Sequence, residues 1–198
     1  MLLNELRNYK IYLVSQSPRR RELLAGMGIE FEVMKSDVDE SFDPSWAPSK
    51  VVEHLSKLKL SPIDTSQYPT NTIFITCDTI VVIDGKIVGK PKDETEAMVM
   101  VRALSGHTHQ VYSGLTVATP QKSLTSHRMS EVTFAELSEE EIQHYVRQYR
   151  PLDKAGAYGV QEWIGYIGIT QLNGSFYNVM GLPTRLLWEM LEQLTISN

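Results

Sequence analysis

Three stretches of this 198-residue chain carry side chains whose types and spacing suit phosphate chemistry. In Ser15-Gln16-Ser17-Pro18-Arg19-Arg20 a strand passes through a tight turn into a helix, so free backbone N–H groups and the positive helix end converge. Ser15 and Ser17 add donors, and Arg19 and Arg20 add full charge on a fork that fits phosphate oxygens. The competing reading is a pair of arginines that only solvate a helix start. The second stretch is Cys77-Asp78-Thr79, inside an apolar run, where a carboxylate is costly unless it is paired or bound to metal. A hydrogen-bonded structural aspartate is the alternative. Lys90 follows a hairpin turn that would return the chain toward Asp78, or it is a solvated turn lysine. The third is Asp153 to Gln161 (DKAGAYGVQ), whose small residues let backbone approach a ligand. Gln161 offers a donor and an acceptor that could read a base edge; a plain glycine-rich connection is the alternative.

Other polar clusters carry less. His107 and His109 are two apart, so on a strand they share a face, but a zinc site needs further ligands. Cys77 has no base placed to make it a nucleophile. Glu139-Glu140-Glu141 reads as a solvated helix start, and Trp163, Tyr166 and Trp188 as packing aromatics.

The elements that must position these residues follow from pattern. Lys10–Ser15 alternates and is β-prone. Ser17 and Pro18 then read as N-cap and first helical residue, with Leu23, Leu24 and Met27 on the apolar face and Gly28 as the stop. Phe31–Met34 is a second strand, Asp37–Pro48 an acidic loop, and Val51–Leu60 a helix with Val52, Leu55 and Lys59 near helical spacing. Thr72–Ile83 is the most strand-like run; Asp84-Gly85 turns it back through Lys86–Val88. Asp93 with Glu96, and Ser138 with Glu141, cap two further helices. Gln110–Ala118, Ser130–Leu137 and Ile164–Gln171 read as strands, Tyr149–Glu162 as irregular, and a last helix runs from Pro183 to about Leu194. The mixture predicts an α/β (α+β) domain around a long mixed sheet.

Composition narrows the function classes. Hydrophobic residues make up 42% and charged residues 22% of the chain, as in ordinary globular domains. A net charge of −5 argues against a protein that coats nucleic acid through a broad basic face, so a small anion held by a few placed cations is expected. The single cysteine, the absence of a signal-peptide pattern and the lack of a spanning apolar run lead us to expect a cytoplasmic protein without membrane attachment.

Five ordered blocks resemble the Maf family of nucleoside triphosphate pyrophosphatases, also called septum-formation proteins. They are SQSPRRRELL (Ser15–Leu24), DTIVVIDGKIVGKP (Asp78–Pro91), LSGHTHQVYSG (Leu104–Gly114), PLDKAGAYGVQ (Pro151–Gln161) and NGSFYNVMGLP (Asn173–Pro183). The resemblance implies one domain over residues 1–198, with an elongated Maf/ITPase-like mixed sheet flanked by helices and two lobes around a central cleft. It places the catalytic aspartate, a proton acceptor, on Asp78, and the triphosphate-binding cations on Arg20, Lys59 and Lys90. Lys57 competes with Lys59 for its position, because the alanines of the family's helix are replaced here. An acidic metal-binding residue falls on Glu40, beside Asp39, to share a divalent Mg²⁺ or Mn²⁺ with Asp78. Arg19, Thr79 and Gln161 match the specificity positions of members acting on dTTP and UTP; a subfamily acting on 7-methyl-GTP has a bulky aromatic at Arg19. Cys77 stands where members often have alanine. The resemblance also implies a homodimer and roles in nucleotide-pool cleaning and cell division arrest. The competing function is a septation regulator that binds nucleotide or a partner without turnover.

Overall fold

The computed structural model describes residues 1–195. Chain order is α1 (Leu2–Leu6), β1 (Lys10–Val14), α2 (Pro18–Gly26), β2 (Glu32–Met34), α3 (Pro48–Leu60), β3 (Thr72–Ile83), β4 (Lys86–Val88) and α4 (Glu94–Leu104). There follow β5 (Thr108–Ala118), β6 (Ser123–Phe134), α5 (Glu139–Tyr149), α6 (Trp163–Gly168), β7 (Ile169–Asn173), α7 (Phe176–Met180) and α8 (Thr184–Thr195). Among the described residues seven strands form one sheet, ordered β2-β1-β3-β5-β6-β7, with β4 paired to β3. The sheet is mixed and carries helices, as the sequence predicts. No helix among the described residues is long and apolar enough to cross a membrane.

The chain divides into two compact units. The first comprises Met1–Asp78, Ser113–Arg128 and the chain from Gly181 onward. Here β1 lies parallel to both β2 and β3, with Leu13 opposite Val33 and Ile75. Thr72 through Asp78 of β3 are all buried, so both faces of that strand are covered, which suits its β-branched and aromatic run. Leu187, Met190, Leu191 and Leu194 give α8 a buried stripe at helical spacing. Val51, Val52, Leu55 and Ser56 do the same for α3. A side chain at Gly114 would place its Cβ 2.1 Å from the Val52 carbonyl oxygen, so only glycine lets β5 lie this close to α3.

The second unit comprises Thr79–Tyr112 and Met129–Met180. Asp84 and Gly85 turn β3 into β4 with φ of 49° and 73°, and Val81 pairs with Val88. Asp93 caps α4 by accepting the Glu96 amide at 2.8 Å, while the Glu96 carboxylate takes the Lys92 amide instead of the expected Asp93 amide. Ser138 and Glu141 close a full capping box on α5, which buries Ile142, Tyr145 and Val146.

Three local expectations change. Trp163–Gly168 is helical, and the strand expected from Ile164 begins only at Ile169. Ile164 and Gly168, four apart, are buried while Tyr166 is 83% exposed, a helical pattern that a short apolar run hides. A Cβ at Gly165 would lie 1.9 Å from the Val160 carbonyl oxygen, so this tight corner depends on glycine. Strand β6 starts at Ser123, seven residues before the expected Ser130; its first half is polar, and pairing rather than composition makes it a strand. His107 precedes β5, so it shares no strand face with His109.

Candidate active site

Helix α3 carries its buried stripe one turn further, to Lys59. Ser56 and Lys59 are three apart on one face of α3, and Thr76 and Asp78 are two apart on one face of β3. Two contacts, Thr76 with Ser56 and Asp78 with Lys59, therefore join the same pair of elements. The Thr76 hydroxyl donates to the Ser56 carbonyl at 2.6 Å, and the Ser56 hydroxyl lies 2.9 Å from that of Thr116. One turn along, the Lys59 ammonium makes a close ion pair with Asp78 and lies 3.2 Å from Glu40 Oε1. Side-chain exposure is 13% for Lys59 and 10% for Asp78, against 45% for Glu40 on its loop. The geometry brings Lys59 to Asp78, whereas Lys57 is exposed.

Ser15 and Arg20 form a second group in the same unit. The Ser15 hydroxyl accepts the Ser17 amide at 3.2 Å and an Arg20 guanidinium nitrogen at 3.4 Å. Arg20 Nε donates to the Gly181 carbonyl at 2.8 Å, which also receives the Cys77 thiol at 3.4 Å. Arg20 is thus held by the carbonyl that anchors the residue before Asp78. Ser17 sits at the N-cap of α2, but its side chain makes no capping hydrogen bond, contrary to expectation. Ser15, two residues earlier, takes its amide instead. Arg19 is half-buried on the first turn of α2.

Thr79, Lys90 and Gln161 belong to the second unit. Thr79 is half-buried and Lys90 exposed. The Gly156 amide donates to the Gly89 carbonyl at 3.0 Å, tying the glycine-rich loop to the residue before Lys90. Gln161 is half-buried, and its side-chain oxygen is enclosed without a hydrogen-bond partner. The residue after it heads a network that sequence reasoning missed. Glu162 Oε1 lies 3.0 Å from the Lys154 ammonium, which lies 2.8 Å from Asp153. The Tyr145 hydroxyl donates closely to Glu162 Oε2 and accepts the Gly159 amide at 3.0 Å. Burial and the neighbouring Glu162 charge push the Tyr145 phenol far above its ordinary range, so it stays a neutral donor. The only sequence signal for this network was a lysine next to an aspartate within a glycine-rich run, which reads equally well as solvated.

The histidines separate. His109 is buried, with Nε2 at 2.7 Å from the Tyr158 hydroxyl, and burial lowers its pKa to about 4. His107 is exposed and bonds the Ser105 carbonyl. Cys77 is buried on the strand. Trp163 packs edge-on against His144, while Trp188 donates to Glu192.

Comparisons with known proteins bear on the chain as a whole. Residues 10–194 match the profile of the family described as Maf-like protein. A protein of Porphyromonas gingivalis named dTTP/UTP pyrophosphatase is 47% identical, with 100% of both chains covered. Proteins of the same name from Bacteroides thetaiotaomicron and Flavobacterium johnsoniae are 47% and 39% identical, each covering 98% of this chain and 100% of the relative. The structure of the Staphylococcus aureus Ham1 protein matches with a TM-score of 0.53 at 16% identity, covering 93% of this chain and 98% of that one. That likeness concerns the fold alone. Full-length relatives at this identity and a family profile spanning nearly every residue place the chain in the Maf family.

Proposed function

We infer that this protein is a nucleoside triphosphate pyrophosphatase that hydrolyses dTTP and UTP to the monophosphate and pyrophosphate. The observation that carries the reading is the convergence of Lys59 with Asp78 and Glu40, in a chain whose full-length relatives bear that enzyme name. The match over residues 10–194 supports treating the chain as one catalytic domain.

The reaction needs a water attacking the α-phosphorus in line with the departing pyrophosphate. Asp78 orients that water and takes its proton as the new P–O bond forms and the α–β bridging P–O bond breaks. Arg20, Lys59 and Lys90 balance charge on the triphosphate and on the pyrophosphate that leaves. Ser15 holds the Arg20 guanidinium toward the start of α2, whose N–H groups favour anions. Among the described residues no group of three or more His, Cys, Asp or Glu is placed to hold a metal. The carboxylate pair fits an ion such as Mg²⁺ or Mn²⁺, which takes one or two carboxylates and completes its shell with water and phosphate oxygens. Held by Asp78 and Glu40, that ion would supply Lewis-acid stabilisation of phosphate charge.

Arg19, Thr79 and Gln161 select the base. Uracil and thymine present an N3–H donor where cytosine presents an acceptor, and the partnerless Gln161 oxygen supports a role as its receiver. Replacing Gln161 with Ala lowers the UTP to CTP ratio of kcat/KM; an unchanged ratio removes Gln161 as the reader. Buried Cys77 supports a reducing, cytoplasmic compartment. Light scattering checks the homodimer that the resemblance implies.

A nucleotide panel with Mg²⁺ or Mn²⁺ tests the function, with dTTP, UTP, modified pyrimidine nucleotides and ITP as substrates. Monophosphate plus pyrophosphate is expected, with dTTP and UTP preferred. Diphosphate plus phosphate, or nucleotide binding without turnover, overturns the reading; the second result is what a regulator that only binds nucleotide would give.

A further inference from the structure

The Lys59 ammonium stands at the focus of Asp78 and Glu40, the two carboxylates assigned to a divalent ion. Its contact with Asp78 is close, and Glu40 Oε1 is 3.2 Å away. Both Lys59 and Asp78 are largely withdrawn from water, so their attraction is screened less than that of a surface pair. Ser56 and Thr76 pin α3 to β3 one turn before this contact, which fixes where the ammonium can reach. A divalent ion approaching these oxygens meets a resident positive charge within a few ångströms.

We propose that Lys59 is an internal counter-ion that keeps free divalent metal out of this carboxylate pair, so that the ligand the site takes is the metal–nucleoside triphosphate chelate. The inference rests on the pyrophosphatase reading for the identity of that ligand. Free metal would have to displace the ammonium and leave a desolvated lysine without a partner, which is costly. A chelate brings the replacement with it. Its phosphate oxygens offer Lys59 several negative charges in place of the carboxylates, and its metal neutralises Asp78 and Glu40 as the lysine transfers. Metal and nucleotide therefore bind with positive coupling, which must be reciprocal.

The test uses the full chain and MnCl₂ alone, with free Mn²⁺ followed by electron paramagnetic resonance. Without nucleotide, wild type should bind Mn²⁺ weakly. Lys59→Met and Lys59→Gln should each bind it at least ~10-fold more tightly, because removing one positive charge within a few ångströms of a divalent ion is worth that much even in high dielectric. Lys59→Arg, which keeps the charge, should stay close to wild type. Adding Asp78→Asn and Glu40→Gln to Lys59→Met should abolish the gain. A folded neutral variant with wild-type Mn²⁺ affinity, or a gain that survives loss of both carboxylates, overturns the proposal. Pyrophosphate release by wild type is measured in parallel. If it is normal while Mn²⁺ affinity does not respond to Lys59, this inference alone fails. If there is no release from any triphosphate but Lys59 controls Mn²⁺ as described, the exclusion of free metal stands and the enzymatic reading fails.

Discussion

Each unit of the molecule contains a largely buried lysine shared between one sheltered and one exposed carboxylate. Lys59, Asp78 and Glu40 are 13%, 10% and 45% exposed, and Lys154, Glu162 and Asp153 are 10%, 18% and 55% exposed. The charges are the same, and burial is nearly the same. The difference lies in who holds the sheltered carboxylate and from how far away. Glu162 has one oxygen on Lys154 and the other on Tyr145, which is itself fixed by the Gly159 amide, so this group is closed by uncharged partners. Glu40, Lys59 and Asp78 come from a loop, a helix and a strand, and their meeting point is an ammonium that a polyphosphate can compete for. A buried lysine is a brace where its partners are satisfied from within, and a site where the partner can be exchanged.

Breaking the brace should cost the most. Lys154→Met leaves Glu162 without its cation and is expected to lower stability by about 3–5 kcal/mol in urea unfolding, while kcat of the folded fraction falls far less than in an Asp78 variant. The reverse pattern, stability intact and kcat lost, would make this second cluster catalytic and erase the contrast.

Acid should weaken the same unit. With a pKa of about 4 when folded, against 6.5 ordinarily, His109 takes up its proton first in the unfolded chain. Stability is therefore full above about pH 6.5 and declines as pH falls toward 4, by up to about 3 kcal/mol. His109→Gln should flatten that window in urea titrations at several pH values. A wild-type profile already flat between those values contradicts the assignment.

Breaking the site should remove the chemistry even in the folded fraction, at some cost in stability because Lys59 keeps only Glu40 as a charged partner. Asp78→Asn keeps size but loses basicity, and pyrophosphate release should fall at least ~100-fold, about 2.7 kcal/mol in barrier. Near-normal turnover would return Asp78 to a structural role. The smallest effect is expected at the hydroxyl pin: Thr76→Val removes the bond to the Ser56 carbonyl and should cost about 1 kcal/mol of stability. If Thr76→Val instead abolished turnover without loss of stability, the pin would belong to the site.

Most elements were legible from pattern because their signals are local. An alternating run marked β1, a long strand-prone run marked β3, turn chemistry marked Asp84-Gly85, and capping pairs marked α4 and α5. The failures fall where local signal is weak or ambiguous. WIGYIG is too short for its period to separate helix from strand, and the polar first half of β6 is a strand only through its pairing. At the site, Asp78 was conspicuous as a carboxylate in an apolar run, whereas Ser56, Thr76 and Thr116 looked like ordinary small polar residues until their hydroxyls were seen to join α3, β3 and β5.

The order of hydrophobic, turn and capping residues determined by itself most of the helices and strands, and the five motif blocks determined the family, since both are properties of neighbours along the chain. Only the tertiary structure placed Lys59 rather than Lys57 beside Asp78, brought Glu40 and Asp78 to one ammonium, and set that cluster apart from the one around Glu162. Coulomb attraction and desolvation depend on distance and burial in space, and linear spacing encodes neither.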